Sequence, residues 1–183
     1  MSALRIFPFF LYISGLCERM ELLRKCLKTM NIEIDDRRCD LFEKYYDLLI
    51  EWNSRFNMTA FTKKDEVIIK HFADSVALLA YQDISGKRIL DVGSGAGFPG
   101  IPLKIMCPDC SIVLLDSLNK RISFLDEVIS ELGLSDITAV HGRAEDLAYD
   151  DEYREIYIPN KEILDEFNTC KKVKNSQEEI LSH

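Results

Sequence analysis

The sequence predicts an α/β protein in which a helical N-terminal region precedes a parallel, doubly wound sheet. Three observations support this prediction. Apolar residues recur at helical spacing in the first half, a glycine-rich loop follows a short apolar strand, and two further apolar strands flank one more helix. The chain has 183 residues, and its 47% hydrophobic and 30% charged content is typical of a globular protein with one sizeable domain.

The first 19 residues contain an apolar run, residues 6–13, that is too short to cross a bilayer. We interpret residues 1–19 as a leader foreign to the native protein, ahead of a second start at Met20. A weak signal peptide is the alternative. We expect no membrane association.

Residues 20–85 are expected to be mostly helical. A short amphipathic helix is predicted over residues 20–30, and Asp35 or Asp36 can cap the longer helix that follows. A capping box at residues 62–65 predicts a third helix over residues 66–81. The apolar face of the long helix, at steps of three and four, consists of Leu41, Tyr45, Leu48, Leu49, Trp52 and Phe56.

The pattern changes at residue 86, and residues 86–150 are expected to form the sheet. Strands are predicted at residues 89–92, 111–117 and 137–142, and Pro99 suits the first turn of the helix after the loop. Gly133 closes the next helix. The apolar face of that helix consists of Leu118, Ile122, Leu125, Ile129 and Leu132. Residues 151–183 lack this pattern, and we expect them to form an atypical tail that is partly disordered.

The glycine loop fits two kinds of ligand. Starting at Gly95, "GAGFPG" matches a dinucleotide-binding pattern with Asp116 about twenty residues on. Starting at Asp91, "DVGSGAG" matches the pattern of S-adenosylmethionine-dependent methyltransferases. A carboxylate suits an ammonium or sulfonium but repels a pyrophosphate. We therefore expect S-adenosylmethionine to lie against Gly93, Gly95 and Gly97, with a dinucleotide-dependent oxidoreductase as the alternative.

Two further acidic positions follow the next strands. Asp116, at the end of the second strand, can accept hydrogen bonds from both ribose hydroxyls. After the third strand, the Ala144 amide and the Glu145 or Asp146 carboxylate could contact an adenine edge. Singly, each carboxylate could equally be a helix cap or a solvated side chain. Because the carboxyl ends of parallel strands converge, together they predict one cofactor site.

Charge and cysteine content weigh against some functions. The formal net charge of −8 provides no overall positive field for nucleic acid, so RNA would need a local basic patch. The CxxC at Cys107 and Cys110 has no second pair, which favours reduced structural thiols in a cytoplasmic protein over a metal or redox site. Phosphate contacts could come from Lys63, Lys64, Lys70, Lys120 and Arg121, although these could equally be solvated surface charges.

Five stretches together resemble the bacterial small-subunit ribosomal RNA methyltransferase G family, also named glucose-inhibited division protein B. They are "WNSRFNMTAFT", "KHFADS", "ILDVGSGAGFPGIPL", "LLDSLNKRISFL" and "GRAEDL", and the resemblance covers roughly residues 20–147. It implies a class I, Rossmann-like methyltransferase that acts on guanine N7 in 16S rRNA of the 30S subunit, and not on DNA. By position it implies cofactor contacts at Gly93, Phe98, Ala144 and Glu145, with Asp116 at the ribose.

The implied reaction needs little from side chains. Guanine N7 has a lone pair and no proton, so no general base is required and no catalytic residue is nominated. Alignment of N7 with the methyl group is the main requirement. We therefore expect His71 to have a structural or positioning role rather than a catalytic one.

After the third strand the sequence departs from the family pattern. We expect the C-terminal half of the sheet to be missing, as in a truncated or frame-shifted copy, so that the first strand becomes an edge open to self-association. The alternatives are that another polypeptide completes the protein or that the tail itself pairs with the sheet. This chain alone would then bind S-adenosylmethionine weakly and methylate no guanine. A further alternative is a non-catalytic module that binds a ribosomal or other partner through residues 20–81.

Overall fold

The structure, a computed structural model, describes residues 20–143. It begins with two helices, α1 (Glu21–Thr29) and α2 (Asp36–Phe56), as the apolar spacing predicts. The Asp35 carboxylate caps α2 by accepting the N–H of Arg38 at 2.7 Å. The predictions for residues 1–19 and 144–183, including the adenine contacts at Ala144 and Glu145, lie outside the described residues.

The third helical segment differs from the prediction in two ways. The capping-box prediction is wrong, because Lys63 precedes the first helical residue and its side chain makes no capping hydrogen bond. The Thr62 carbonyl instead accepts the Tyr46 hydroxyl at 3.1 Å, which ties this turn to α2. The segment is also not one regular helix. It consists of α3 (Lys64–Val67), a wide π-helical turn (Ile68–Ala73), α4 (Asp74–Val76) and a 3₁₀ turn (Ala77–Ala80).

The three predicted strands are present to within one residue. They are β1 (Arg88–Val92), β2 (Ser111–Asp116) and β3 (Ile137–His141), all parallel, in the order β1–β2–β3. In the described part of the chain, β1 and β3 are therefore the outer strands. The α/β class with a parallel, doubly wound sheet is confirmed.

Two helices connect the strands, α5 (Gly100–Met106) and α6 (Asn119–Leu132). Pro99 precedes α5 rather than entering its first turn, which corrects the prediction. Gly133 ends α6 with a φ of 62°, as predicted. Leu118 is 42% exposed because it stands before α6, and the helix buries Phe124 and Val128, which the predicted face did not include.

The N-terminal helices and the sheet share one hydrophobic core. Helix α2 packs against both α5 and α6, so its apolar face is used within the fold. The largest side chains at this junction, all fully buried, are Phe42, Tyr45, Phe72 and Phe124. Burial of side chains of this size dominates the stability of such a core. This packing sets the position of the glycine loop above α2. Within residues 20–143, none of the helices has the length and apolarity that a membrane crossing requires.

Candidate cofactor-binding site

The glycine loop leaves the carboxyl end of β1 and is tied to the end of β2. The N–H groups of Gly93 and Ser94 both donate to the Leu115 carbonyl, at 2.8 and 3.0 Å. The Ser94 carbonyl then accepts the N–H of Gly97 at 2.7 Å and that of Phe98 at 3.1 Å. These bonds leave the loop open on its outer side.

The glycines of this loop meet different requirements. Gly93 is exposed, Gly95 is half-exposed, and both have positive φ angles, 75° and 59°. A Cβ at Gly93 would meet nothing within 4 Å, so a ligand can approach the backbone there. Gly97 is buried, and a Cβ there would lie 2.6 Å from Ile101 Cγ1 and 2.9 Å from Tyr45 Oη. Gly97 therefore makes room for packing against α2 and α5, whereas the open face is at Gly93 and Gly95.

Asp91 lies beneath this loop at the end of β1 and is 8% exposed. Its Oδ2 accepts the N–H of Gly100, in the first turn of α5, at 3.0 Å. Burial raises the pKa of Asp91 to about 6, although hydrogen bonds from Gly100 and Ser94 oppose the shift and the nearby Asp116 charge adds to it. A pyrophosphate would need these helix N-terminal amides, and a carboxylate already occupies one of them.

Asp116 joins the loop to α6 from the end of β2 and is 2% exposed. Its Oδ1 accepts the Leu118 N–H at 2.9 Å, and its Oδ2 accepts the Gly95 N–H at 2.9 Å and Arg121 Nη1 at 3.1 Å. A carboxylate offers about four lone-pair positions, so one remains. The Arg121 side chain is about a third exposed. Of the three groups bonded to Asp116, Arg121 is therefore the one that a ligand can displace, since its guanidinium can move into solvent.

Side chains from the N-terminal helices support the loop from below. The buried Tyr45 hydroxyl donates to the Ala96 carbonyl. Burial raises the pKa of Tyr45 well above its ordinary value, so the phenol remains a donor. The Phe98 ring lies 5.5 Å from the Tyr45 ring and 4.3 Å from the His71 ring. Sequence reasoning placed Tyr45 in the core but missed its role at the loop, since the two residues are 51 positions apart and no local pattern connects them.

Comparison with known proteins identifies the family of this chain. The family model for rRNA small subunit methyltransferase G, also called GidB, matches residues 38–179. The chain belongs to this family. The match continues past Leu147, the residue at which we expected the resemblance to end.

Individual relatives agree with the family model. The chain is similar to proteins named ribosomal RNA small subunit methyltransferase G from three bacteria. It is 54% identical to that of Lachnoclostridium phytofermentans over 130 residues. The aligned residues cover 70% of this chain and 54% of the relative. It is 49% identical over 141 residues to that of Desulfitobacterium hafniense, with coverages of 76% and 58%. It is 48% identical over 130 residues to that of Lactococcus lactis subsp. cremoris, with coverages of 70% and 55%. The chain thus spans about half the length of the curated relatives it matches.

The basic residues proposed for phosphate contact in this GidB-family chain are not equivalent. Lys64 pairs with the Glu43 carboxylate, and Arg121 pairs with Asp116. Lys70 is exposed and lies over the Phe61 ring, 4.2 Å from its centroid. Two more candidates are also exposed, namely Lys63 and Lys120. Three of the five basic residues are thus exposed, whereas Lys64 and Arg121 are already paired with carboxylates.

The CxxC lies between α5 and β2 and is part of a packed turn. Burial raises the pKa of Cys110 to about 11 and raises the pKa of Cys107 as well. The Cys110 thiol donates to the Cys107 carbonyl at 2.9 Å, and buried Lys104 donates to the Pro108 carbonyl at 2.7 Å. Protonated thiols are poor nucleophiles and metal ligands. Within residues 20–143, no cluster of three or more His, Cys, Asp or Glu residues could hold a metal ion.

Proposed function

We propose that residues 20–143 form the cofactor-binding part of an S-adenosylmethionine-dependent methyltransferase, whose substrate is guanine N7 in the 16S rRNA of the small ribosomal subunit, in the cytoplasm. One observation carries the choice of cofactor. The Asp91 carboxylate sits on the first amide of α5, beside the open backbone of Gly93 and Gly95. This arrangement favours a cationic ligand without phosphate over a dinucleotide.

The chain's own residues fit such a ligand. A Cβ at Gly93 would meet no atom within 4 Å, so the exposed backbone there leaves space for a ligand. Asp91 supplies negative charge under the loop. The remaining lone pair of Asp116, together with displacement of Arg121, provides acceptors for a ribose diol. Phe98 offers an aromatic wall at the end of the loop. Ala144 and Glu145, which follow the described residues, are proposed to contact the adenine.

Methyl transfer to N7 requires that these residues align the methyl group with N7, and it requires no proton transfer. When bound, S-adenosylmethionine supplies an electrophilic methyl group on a sulfonium. Because N7 carries no proton, the chain needs only to hold the guanine in line with that methyl group and to exclude water. No side chain is therefore proposed as a general base. Exposed Lys70, which lies over the Phe61 ring, and exposed Lys120, whose Nζ donates to the Phe56 carbonyl at 3.4 Å, are proposed to contact RNA phosphates.

Thermal unfolding with added ligands tests the cofactor. S-adenosylhomocysteine should raise the Tm of the 183-residue chain, whereas NAD should not, because only a true ligand stabilises the folded state. Asp116→Ala should abolish the shift, and Asp109→Asn, at an exposed carboxylate within the CxxC, should retain it. A Tm shift with NAD and none with S-adenosylhomocysteine would overturn the proposal in favour of an oxidoreductase.

The RNA substrate is tested with particles that lack the modification. The chain is incubated with undermethylated 30S subunits and labelled S-adenosylmethionine. The 16S rRNA is then digested to locate the label. Label at guanine N7 would support the proposed substrate and would also contradict the expectation that this chain alone methylates no guanine. Label at another base, or in 23S rRNA when whole ribosomes are used, would contradict the proposed substrate.

A further inference from the structure

His71 lies in the wide helical turn and faces the end of the glycine loop. Its imidazole is stacked on the Phe98 ring, with 4.3 Å between centroids and 8° between planes. A π-helical turn carries more residues than an α-helical turn, so it rotates the residues that follow relative to a regular helix. Here it allows neighbouring Phe72 to pack on Phe42 and Tyr45 while His71 meets Phe98.

Hydrogen bonds fix the state of this imidazole. His71 Nε2 lies 2.7 Å from Thr59 Oγ1, and Thr59 Oγ1 also accepts the Phe61 N–H at 3.1 Å. Burial lowers the pKa of His71. A hydrogen bond with the Lys70 backbone raises this pKa but offsets only part of the shift. A lowered pKa favours the neutral imidazole, and Thr59 Oγ1 is the hydrogen-bond partner of Nε2. Because Thr59 holds Nε2, this nitrogen is not free to exchange a proton with a substrate.

Thr59 is itself anchored to helix α2. The Asn53 side-chain oxygen accepts the Thr59 N–H at 2.8 Å, directly after the end of that helix. The edge of Phe61 closes another side of the imidazole, with 5.4 Å between the ring centroids. A continuous path of contacts thus runs from α2 through Asn53, Thr59 and His71 to Phe98.

We propose that His71 is a positioning residue, which the Thr59 hydroxyl orients so that its ring holds Phe98 in the orientation required for cofactor binding. This inference rests on the proposed function, since Phe98 forms the wall of the cofactor site. Phe98 directly follows the buried Gly97, and its N–H is bonded to the Ser94 carbonyl, so its backbone is fixed by the loop. The ring's orientation is set by its neighbours, and the parallel His71 plane is the nearest of these.

A matched pair of variants at Thr59 separates positioning from general packing. Thr59→Val keeps the shape but removes the hydroxyl, whereas Thr59→Ser keeps the hydroxyl. Titration calorimetry with S-adenosylhomocysteine should show the dissociation constant of the Val variant raised by roughly fivefold, the size of a typical net hydrogen-bond contribution. The Ser variant should bind like the wild type. Without ligand, the Tm of the Val variant should fall by a few degrees, because the contacts of the hydroxyl with His71 and the Phe61 N–H are lost, whereas the Tm of the Ser variant should stay close to that of the wild type.

A double-mutant cycle shows whether the effect passes through Phe98. In a Phe98→Leu background, which has no stack to maintain, Thr59→Val should cause no further loss of affinity. An equal loss in both backgrounds, wild-type affinity in Thr59→Val, or equal losses in Val and Ser would each overturn the positioning role. If the wild-type chain binds no S-adenosylhomocysteine, the proposed function fails and the inference fails with it. If the wild type binds and the variants match it, only the inference fails.

Discussion

Replacing Asp91 by Asn should stabilise the folded protein while weakening its cofactor site. The carboxylate is buried at the end of β1, and burial raises its pKa from an ordinary 3.8 to about 6. The folded state therefore disfavours the charged form relative to the unfolded chain. An Asn side-chain oxygen can still accept the Gly100 N–H, so the substitution removes the charge and keeps this hydrogen bond.

The size and pH dependence of the effect follow from linkage. A raised folded-state pKa contributes stability that is present below pH 3.8 and is lost as the pH rises through about 6. A shift of about 2 pKa units corresponds to about 3 kcal/mol of destabilisation once the carboxyl is ionised. Asp91→Asn should thus be more stable than the wild type by up to about 3 kcal/mol at pH 8, and this advantage should fall below about 1 kcal/mol near pH 4.

Urea unfolding at a series of pH values measures this difference. The free energy of unfolding of Asp91→Asn, the wild type and an Asp109→Asn control is compared between about pH 4 and pH 8. Asp109 is exposed, so its substitution should show no such pH-dependent gain. Titration calorimetry on the same samples should show S-adenosylmethionine binding weakened by roughly tenfold, as loss of a charge contact predicts. A destabilised Asp91→Asn variant at pH 8, or a gain in stability that does not change with pH, would show that burial of the Asp91 charge does not limit stability.

Three further substitutions probe the supports of the loop. Tyr45→Phe removes the donor to the Ala96 carbonyl and should lower the unfolding free energy by about 1–3 kcal/mol in urea titrations. Gly100→Ala places a Cβ in overlap with Leu114 Cδ2 and 2.8 Å from an Asp91 oxygen, and should cost about 1–3 kcal/mol by the same assay. Asp116→Asn replaces a buried acceptor of three hydrogen bonds and should cost about 2–4 kcal/mol, opposite in sign to Asp91→Asn.

Two of these substitutions have a control in the chain. Tyr46→Phe removes a hydroxyl whose hydrogen bond lies at the surface and should change stability less than Tyr45→Phe. Gly142→Ala brings a Cβ to 3.3 Å from Leu115 and should be milder than Gly100→Ala. Equal effects within either pair, or an Asp116→Asn variant as stable as the wild type, would contradict the roles assigned to these contacts.

Local patterns in the sequence were sufficient to predict most of the fold. The short apolar runs placed β1, β2 and β3 to within one residue, because each run is bounded by turn residues, although only β2 is mostly buried and β3 buries Ile137 alone. Apolar residues at steps of three and four placed α2, and Asp35 was among the predicted caps. Asp91 and Asp116 could be placed at one edge of the sheet for the same reason, since parallel strands end on the same side.

The features that could not be predicted from the sequence are those that depend on tertiary contacts. The wide turn at Ile68–Ala73 follows from packing of Phe72 on α2 and of His71 on Phe98, neither of which has a local signature. Gly97 looks like the other loop glycines in the sequence, but its neighbours Tyr45 and Ile101 show that it serves packing. The Thr62 capping box failed because a hydroxyl from α2 fixes that turn instead.

A crystal structure of the chain with S-adenosylhomocysteine would show whether the glycine loop and Asp116 hold the cofactor. We expect the ligand to lie against the backbone of Gly93 and Gly95, its ribose hydroxyls to be within hydrogen-bond distance of Asp116, and the Arg121 contact to be displaced or shared. A ligand bound elsewhere on the protein, with Asp116 still held by Gly95, Leu118 and Arg121, would contradict it.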